Sequence, residues 1–376
     1  MNRKPSTERA AANDAQPPHL DLPSYTAVDG FGSYTGFNSV ELQEVYAVER
    51  QPAVRSQISP RGGQKPCLAL LPNGDLLATQ KSSDGNVALC RSRDTGLSWE
   101  PPREVDVPGR GKLPGRAPMF SALADGTLLL GGPGAAIYRS SDEGSSWQES
   151  DVERTVSVDG ASYDLFWGEN SGPHELSDGT VVCSGYMTFE PGRCRAFLLR
   201  STDGGRTWGD ATPLAAASEV NLAVLPGDGM FACLRVQTDG AGEGGAALAV
   251  TESHDGGRTW KDPARILGKA QSPGFPVYLS DGRLVITYTH RQFPFGAQAI
   301  ASRDGGATWD TAHPIILAWF SWDDTCGHPR SLALADGSIL TGYYARLFKG
   351  SANPSTDVVG HCLRWRPPDD WPPTID

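Results

Sequence analysis

The groups able to do chemistry in this sequence are a few arginines, carboxylates and histidines set at the ends of apolar runs. Arg235 closes "MFACLRV" and Arg291 closes "VITYTH", each run following a glycine turn. Arg330 stands two residues after His328 in "GHPRSLALAD", on the same face if the segment is a strand. Arg116 ends the basic loop "PREVDVPGRGKLPGR". A guanidinium offers a planar fork that matches a carboxylate. Together these arginines suit an anionic ligand, most simply a uronic, ulosonic or sulfated sugar. Their alternative roles are solvated strand ends and, for Arg116, an exposed linker. Glu219, sixteen residues before Arg235, reads either as a channel-facing carboxylate or as that arginine's structural partner. Asp84 in "SSDGN" is an acid or a turn former. Glu169 in "LFWGENSGP" and Asp323 or Asp324 in "WFSWDDTCGHP" are alternative acids. Trp167, Phe320 and Trp322 beside them suit sugar faces or packing. A catalytic acid needs its pKa raised by burial or a second carboxylate. His174, His290 and His328 each lie near an apolar run, where one can act as a base. No HExxH or paired CxxC accompanies them, so neither a metal nor a cofactor is expected.

A repeated scaffold must bring these groups together. Five copies of S-x-D-x-G-x-[ST]-W place Asp94, Asp142, Asp203, Asp255 and Asp304 in short turns. The Asp accepts turn N–H groups, the Gly takes positive φ, and the Trp anchors the hairpin. A second repeat, an apolar run broken by Asp-Gly or Asn-Gly, precedes each box and recurs a sixth time. Its glycines, Gly74, Gly126, Gly179, Gly229, Gly282 and Gly337, fall about fifty residues apart. Such pairs of runs are hairpins. The spacing predicts an all-β, six-bladed propeller of four-stranded antiparallel blades. The box Asp residues then belong to the scaffold, at the rim and away from the axis. The sixth unit lacks a box and ends in "VVGHCLRWRP", so "VELQEVYAVE" (40–49) is expected to supply its missing strand and close the ring. The division expected is a flexible segment at 1–38, the propeller at 39–368 and a tail at 369–376.

The chain has 376 residues and a formal net charge of −11, which disfavours nucleic acid and anionic membranes as partners. No stretch has transmembrane length, and the N-terminus carries no apolar signal region. Seven scattered cysteines suit reduced thiols, and a cytoplasmic location is expected. A secreted chain whose leader had been removed would read the same. The pattern leaves the oligomeric state open.

Five boxes on six units resemble the sialidase (neuraminidase) superfamily of BNR, or Asp-box, repeat proteins. The resemblance spans roughly residues 40–365. It implies a carbohydrate substrate held at the axis by three arginines, an Asp acid, and a Tyr nucleophile paired with a Glu. On that pattern "SEVNLAVLPGDGMFACLRV" maps the Glu to Glu219 and the second arginine to Arg235. "VITYTHRQFPFG" maps the third arginine to Arg291, and "LLATQKSSDGNVALCRSRD" maps the acid to Asp84. Two positions depart. Gln64 stands where the first arginine belongs, with an R-x-P pattern one repeat later at Arg116. His328 stands at the place of the Tyr, with Tyr343 and Tyr344 in the following strand. The expected activity is therefore a sialidase-like exo-glycoside hydrolase of altered specificity, with substrate bound by Gln64, Arg116, Arg235, Arg291 and Arg330. Its catalytic residues are Asp84, Glu219 and His328. The alternatives are a polysaccharide lyase acting on a uronate and a non-catalytic glycan-binding propeller.

Overall fold

The computed structural model describes residues 25–28, 48–51, 53–59, 62–115, 119–158, 160–166, 171–190, 193–237, 246–292, 295–319, 321–347 and 357–373. Six antiparallel sheets of four blade strands surround one axis. Their inner strands are Gln64–Leu70, Phe120–Ala122, His174–Glu175, Ser218–Val224, Gly274–Tyr278 and Cys326–Ala333, and they define blades 1 to 6 in chain order. Each runs from one end of the axis to a Gly-turn hairpin at the other. The boxes lie at the hairpin end as well, so the opposite end, where the inner strands begin, forms the mouth. A channel of about 400 Å³ runs between the inner strands, past Cys67, His174, Asn221 and Arg330. The fold is the six-bladed propeller that the repeat spacing predicts.

Hydrophobic alternation supplies the cores between blades. In blade 3, Phe197 and Leu199 pack toward blade 2, while Ala196 and Leu198 pack toward blade 4. The box turns reinforce these seams. In "SHDGGRTW", Ser253 Oγ donates to Asp255 Oδ1 at 2.7 Å and accepts from Gly257 N at 2.9 Å. Thr259 donates its N–H to Asp255 Oδ1 at 2.9 Å and its hydroxyl to Oδ2 at 2.6 Å. The same pattern recurs in the other four boxes. Gly257 has φ +76°, and a Cβ there would lie 2.3 Å from Leu198 of blade 3. The glycine thus permits both the turn and its close approach to the preceding blade.

An N-terminal strand closes the ring, at a position different from the one expected. Ala53–Gln57 pairs antiparallel with Val358–Trp365 as the outer strand of blade 6, from Ala53 opposite Trp365 to Gln57 opposite His361. Val48–Gln51 instead pairs in parallel with Tyr25–Val28, which joins the outer strand of blade 5. Residues 40–47 lie outside the described residues, as do 1–24 of the expected N-terminal segment. The physical reason for the shift is reach in both directions. Arg55 donates to Leu317 O of blade 5 at 2.7 Å, and Ser56 Oγ accepts the Trp99 indole N–H of blade 1 at 3.0 Å.

Blade 6 has no box, and the C-terminal segment fills that place. Trp371 is buried against blades 5 and 6 and donates its indole N–H to His313 O at 2.8 Å. Arg283 donates to Pro368 O at 2.6 Å, and Arg303 donates to Asp369 O at 2.7 Å and to Pro372 O at 2.8 Å. Trp371→Ala should therefore cost about 3–5 kcal/mol, like other large buried truncations. A drop in the urea midpoint at unchanged denaturant slope checks this.

Acid should weaken the fold in two stages. Burial holds His328 and His361 well below the ordinary histidine range. Unfolded histidines protonate below about pH 6.5, so that contribution to stability fades as pH falls from there. Hydrogen bonds, led by the Ser146 hydroxyl, lower Asp142 to about 2. Its contribution is complete above about pH 4 and is lost as pH falls toward 2. Unfolding midpoints followed from pH 7 to 2 should show both stages, with Asp142→Asn reducing only the second.

Candidate active site at the mouth of the axis

Three inner strands begin with the same irregularity. Pairing skips from Gln64 to Cys67 in blade 1, from Ser218 to Asn221 in blade 4 and from Gly327 to Arg330 in blade 6. Within each bulge one non-glycine residue takes positive φ: Lys65 at 55°, Glu219 at 47° and His328 at 48°. That conformation costs roughly 1–3 kcal/mol per residue, and a bulge re-aims the side chain it carries. His328 is further fixed by its N–H, which donates to Thr289 Oγ1 at 2.8 Å. Three blades thus hold a lysine, a glutamate and a histidine in strained positions around one mouth.

The surrounding groups join them. Glu219, 6% exposed, forms a short ion pair with Arg235 through Oε1. Its Oε2 has no hydrogen-bond partner among the described residues. Arg291 donates to Asp324 O at 3.2 Å and to Ser272 O at 3.2 Å, and its remaining nitrogen lies 3.3 Å from His328 Nε2. Because a guanidinium can only donate, His328 accepts at Nε2, which places the proton of a neutral ring on Nδ1. Burial keeps His328 neutral; Lys65, Arg291 and Arg330 add to the effect, and Glu219 opposes it. Its ring stacks on Tyr344 at 5.7 Å between centroids, and Arg330 lies 5.6 Å over the Phe275 ring. Burial raises the Tyr344 phenol, while a hydrogen bond and the charge of Arg291 pull it down. Tyr343, on the opposite face of its strand, stacks on His361 beneath Arg55 instead.

The structure therefore brings together five of the sequence-derived candidates: Glu219, Arg235, Arg291, His328 and Arg330. It adds Lys65 and Tyr344. Gln64 is half-buried and pairs with Lys81, whereas the next residue, Lys65, is the one in electrostatic reach of His328. The "QKP" triplet at the start of an inner strand was the available signal for Lys65. Asp84 is exposed on the turn at 82–86, on the mouth side, and its charge is felt by Lys112. Arg116, Trp167, Glu169 and Phe320 lie outside the described residues. Asp323 is tied to Arg346 at 2.9 Å, and Asp324 serves Arg291 through its carbonyl. His290 is buried, its Nδ1 3.1 Å from Gln292 O, while His174 lines the channel lower down. Among the described residues no three His, Cys, Asp or Glu side chains gather as a metal site.

The BNR repeat-like domain model matches residues 130–293. No curated protein sequence matches the chain significantly. Among solved structures, a Dyadobacter fermentans protein of unknown function is 21% identical with a TM-score of 0.67, over 83% of this chain and 98% of that one. A Hadza microbial sialidase is 19% identical with a TM-score of 0.57, over 83% and 68%. The GH93 α-L-arabinofuranosidase of Fusarium graminearum is 13% identical with a TM-score of 0.57, over 83% and 96%. At these identities the structures speak for the fold alone, the six-bladed propeller. The stretch matched by the BNR repeat-like domain, residues 130–293, runs from blade 2 into blade 5 of a six-bladed propeller built on Asp-box turns.

Proposed function

We propose that this protein is an exo-acting glycoside hydrolase that removes an anionic sugar at the mouth of the propeller. The observation that carries this reading is the charge around Glu219. Blades 1, 4, 5 and 6 contribute Lys65, Arg235, Arg291 and Arg330 to a mouth whose buried carboxylate is Glu219, in a chain of net charge −11. Similar folds include a sialidase and an arabinofuranosidase by their names. The excess of cations favours an acidic sugar over a neutral one.

In this reading Arg291 binds the substrate carboxylate. Three acceptors already orient its guanidinium, so little ordering remains when the substrate arrives. His328, with its lone pair committed to Arg291, positions that arginine. Glu219 acts as general base: Oε2 takes a proton from water as the water oxygen attacks the anomeric carbon. The glycosidic bond breaks, and Asp84, exposed on the turn at 82–86 until the bound sugar covers it, protonates the leaving oxygen. Attack by water inverts the anomeric centre. Exchange with solvent then restores both carboxyl groups.

A turnover panel of sialosides, Kdn and Kdo glycosides, uronides and uronate oligosaccharides tests the reading. Glu219→Gln should lower kcat about 10²–10⁴-fold, and Arg291→Lys should chiefly raise KM. An unsaturated product would replace the hydrolase with a lyase. Silence across a panel that a known sialidase turns over would leave a glycan-binding propeller. The phenol gives a separate test of mechanism. Tyr344→Phe should keep kcat within about tenfold, and NMR should show the inverted anomer first. Loss of all activity in that variant, together with a retained anomer released by the unsubstituted protein, would make Tyr344 a covalent nucleophile.

A further inference from the structure

The second strand of blade 5, Leu284–His290, changes character along one face. Val285 belongs to the apolar seam with blade 6, but Thr287, Thr289 and Arg291, the next residues on that face, are polar. All three engage the bulge that opens the inner strand of blade 6. Thr287 donates its hydroxyl to Pro329 O, and the same oxygen lies 2.9 Å from Ser331 Oγ. The bulge takes His328 out of the ladder, so its N–H must find another acceptor. Thr289 Oγ1 is that acceptor at 2.8 Å, and Arg291 meets Nε2 of the same histidine at 3.3 Å. His328 and Thr289 are both buried, and bulk water does not reach this bond. The fit is steric as well: Gly327 has φ +96°, and a Cβ there would collide with the Thr289 side chain.

We infer that Thr289 is a positioning residue for the anion-binding arginine. By accepting the His328 N–H it holds the strained backbone from which the imidazole faces Arg291. Two residues of one strand face thus grip one histidine, Thr289 at its backbone and Arg291 at its ring. What Arg291 binds rests on the hydrolase reading; the linkage from Thr289 through His328 to Arg291 does not. A β-branched residue suits the task, since its χ1 is restricted and its methyl group packs on Gly327 while the hydroxyl meets the N–H. A threonine that only sealed the seam would lose stability on substitution without changing how the sugar is bound.

Thr289→Val keeps the shape and removes the acceptor; should it not fold, Thr289→Ala removes the same acceptor. The change should raise KM for the acidic sugar about tenfold and leave kcat within about threefold, because Arg291 holds the carboxylate alike before and during the reaction. Thr289→Ser, which keeps the hydroxyl, should restore KM to within about threefold. In an Arg291→Lys background Thr289→Val should add less than about threefold, since both act through one guanidinium. Unchanged KM in Thr289→Val, no recovery in Thr289→Ser, or full additivity would overturn the inference. Nitrogen-15 spectra of the histidine rings read the linkage without turnover, with His328 assigned by its loss in His328→Gln. Nε2 of His328 should carry no proton in the unsubstituted protein, and in Thr289→Val its signal should move toward that of a ring exchanging between tautomers. A proton on Nε2 in the unsubstituted protein, or a signal that Thr289→Val leaves in place, would sink the inference even where KM rises. If the panel gives no turnover while the histidine signal moves as expected, the hydrolase reading falls and the positioning stands.

Discussion

The rest of the structure depends on the constraint that a ring of sheets must close without leaving an open edge. Ala53–Gln57 meets that constraint by covering the outer edge of blade 6. Its side chains do more than extend a sheet. Arg55 reaches the last strand of blade 5, and Ser56 meets the first box tryptophan, so the closing strand holds three blades at once. Arg55 also lies 5.2 Å over Tyr343, whose other partner is the buried His361. Once closed, the ring brings the starts of the inner strands to one mouth, and no further element is needed to gather the site.

Closure also permits strain at that mouth. Lys65, Glu219 and His328 hold a backbone conformation that non-glycine residues rarely adopt. An isolated hairpin would relax it. Here each bulge is followed by an inner strand packed between two blades, and the box turns fasten the seams at the far end. Stability and strain are therefore separated along the axis: hydrogen-bonded turns and apolar seams at one end, bulges and buried charge at the other. The charges separate in the same way. The five box carboxylates lie at the hairpin end, where turn hydrogen bonds hold them ionised. Cations dominate the buried groups at the mouth, so an acidic protein can attract an anion there.

Much of the candidate site is legible in the sequence. Glu219, Arg235, Arg291, His328 and Arg330 all stand near inner-strand starts or at the ends of second strands, positions that a propeller brings to its mouth. Lys65 was missed because a bulge shifts facing by one residue, and the local pattern "QKPCLALL" does not reveal where the pairing skips. Tyr343 and Tyr344 are adjacent in sequence. Only the register with Val358–Trp365 and the inner strand decides that Tyr344 meets His328 while Tyr343 meets His361.

The sequence by itself determined the repeat, the box turns and the number of blades, because these rest on contacts a few residues apart. Asp255 and Thr259, or Leu279 and Gly282, bond within one turn wherever that turn sits. The tertiary structure alone decided which segment closes the ring, what replaces the missing sixth box, and that Lys65 comes within electrostatic reach of His328. Ala53–Gln57, Trp371 and Lys65 owe those places to partners more than fifty residues away, and their reach depends on packing between whole blades. Local chemistry can write a turn into a short stretch of residues. The geometry of a closed ring has to be built before it can choose among them.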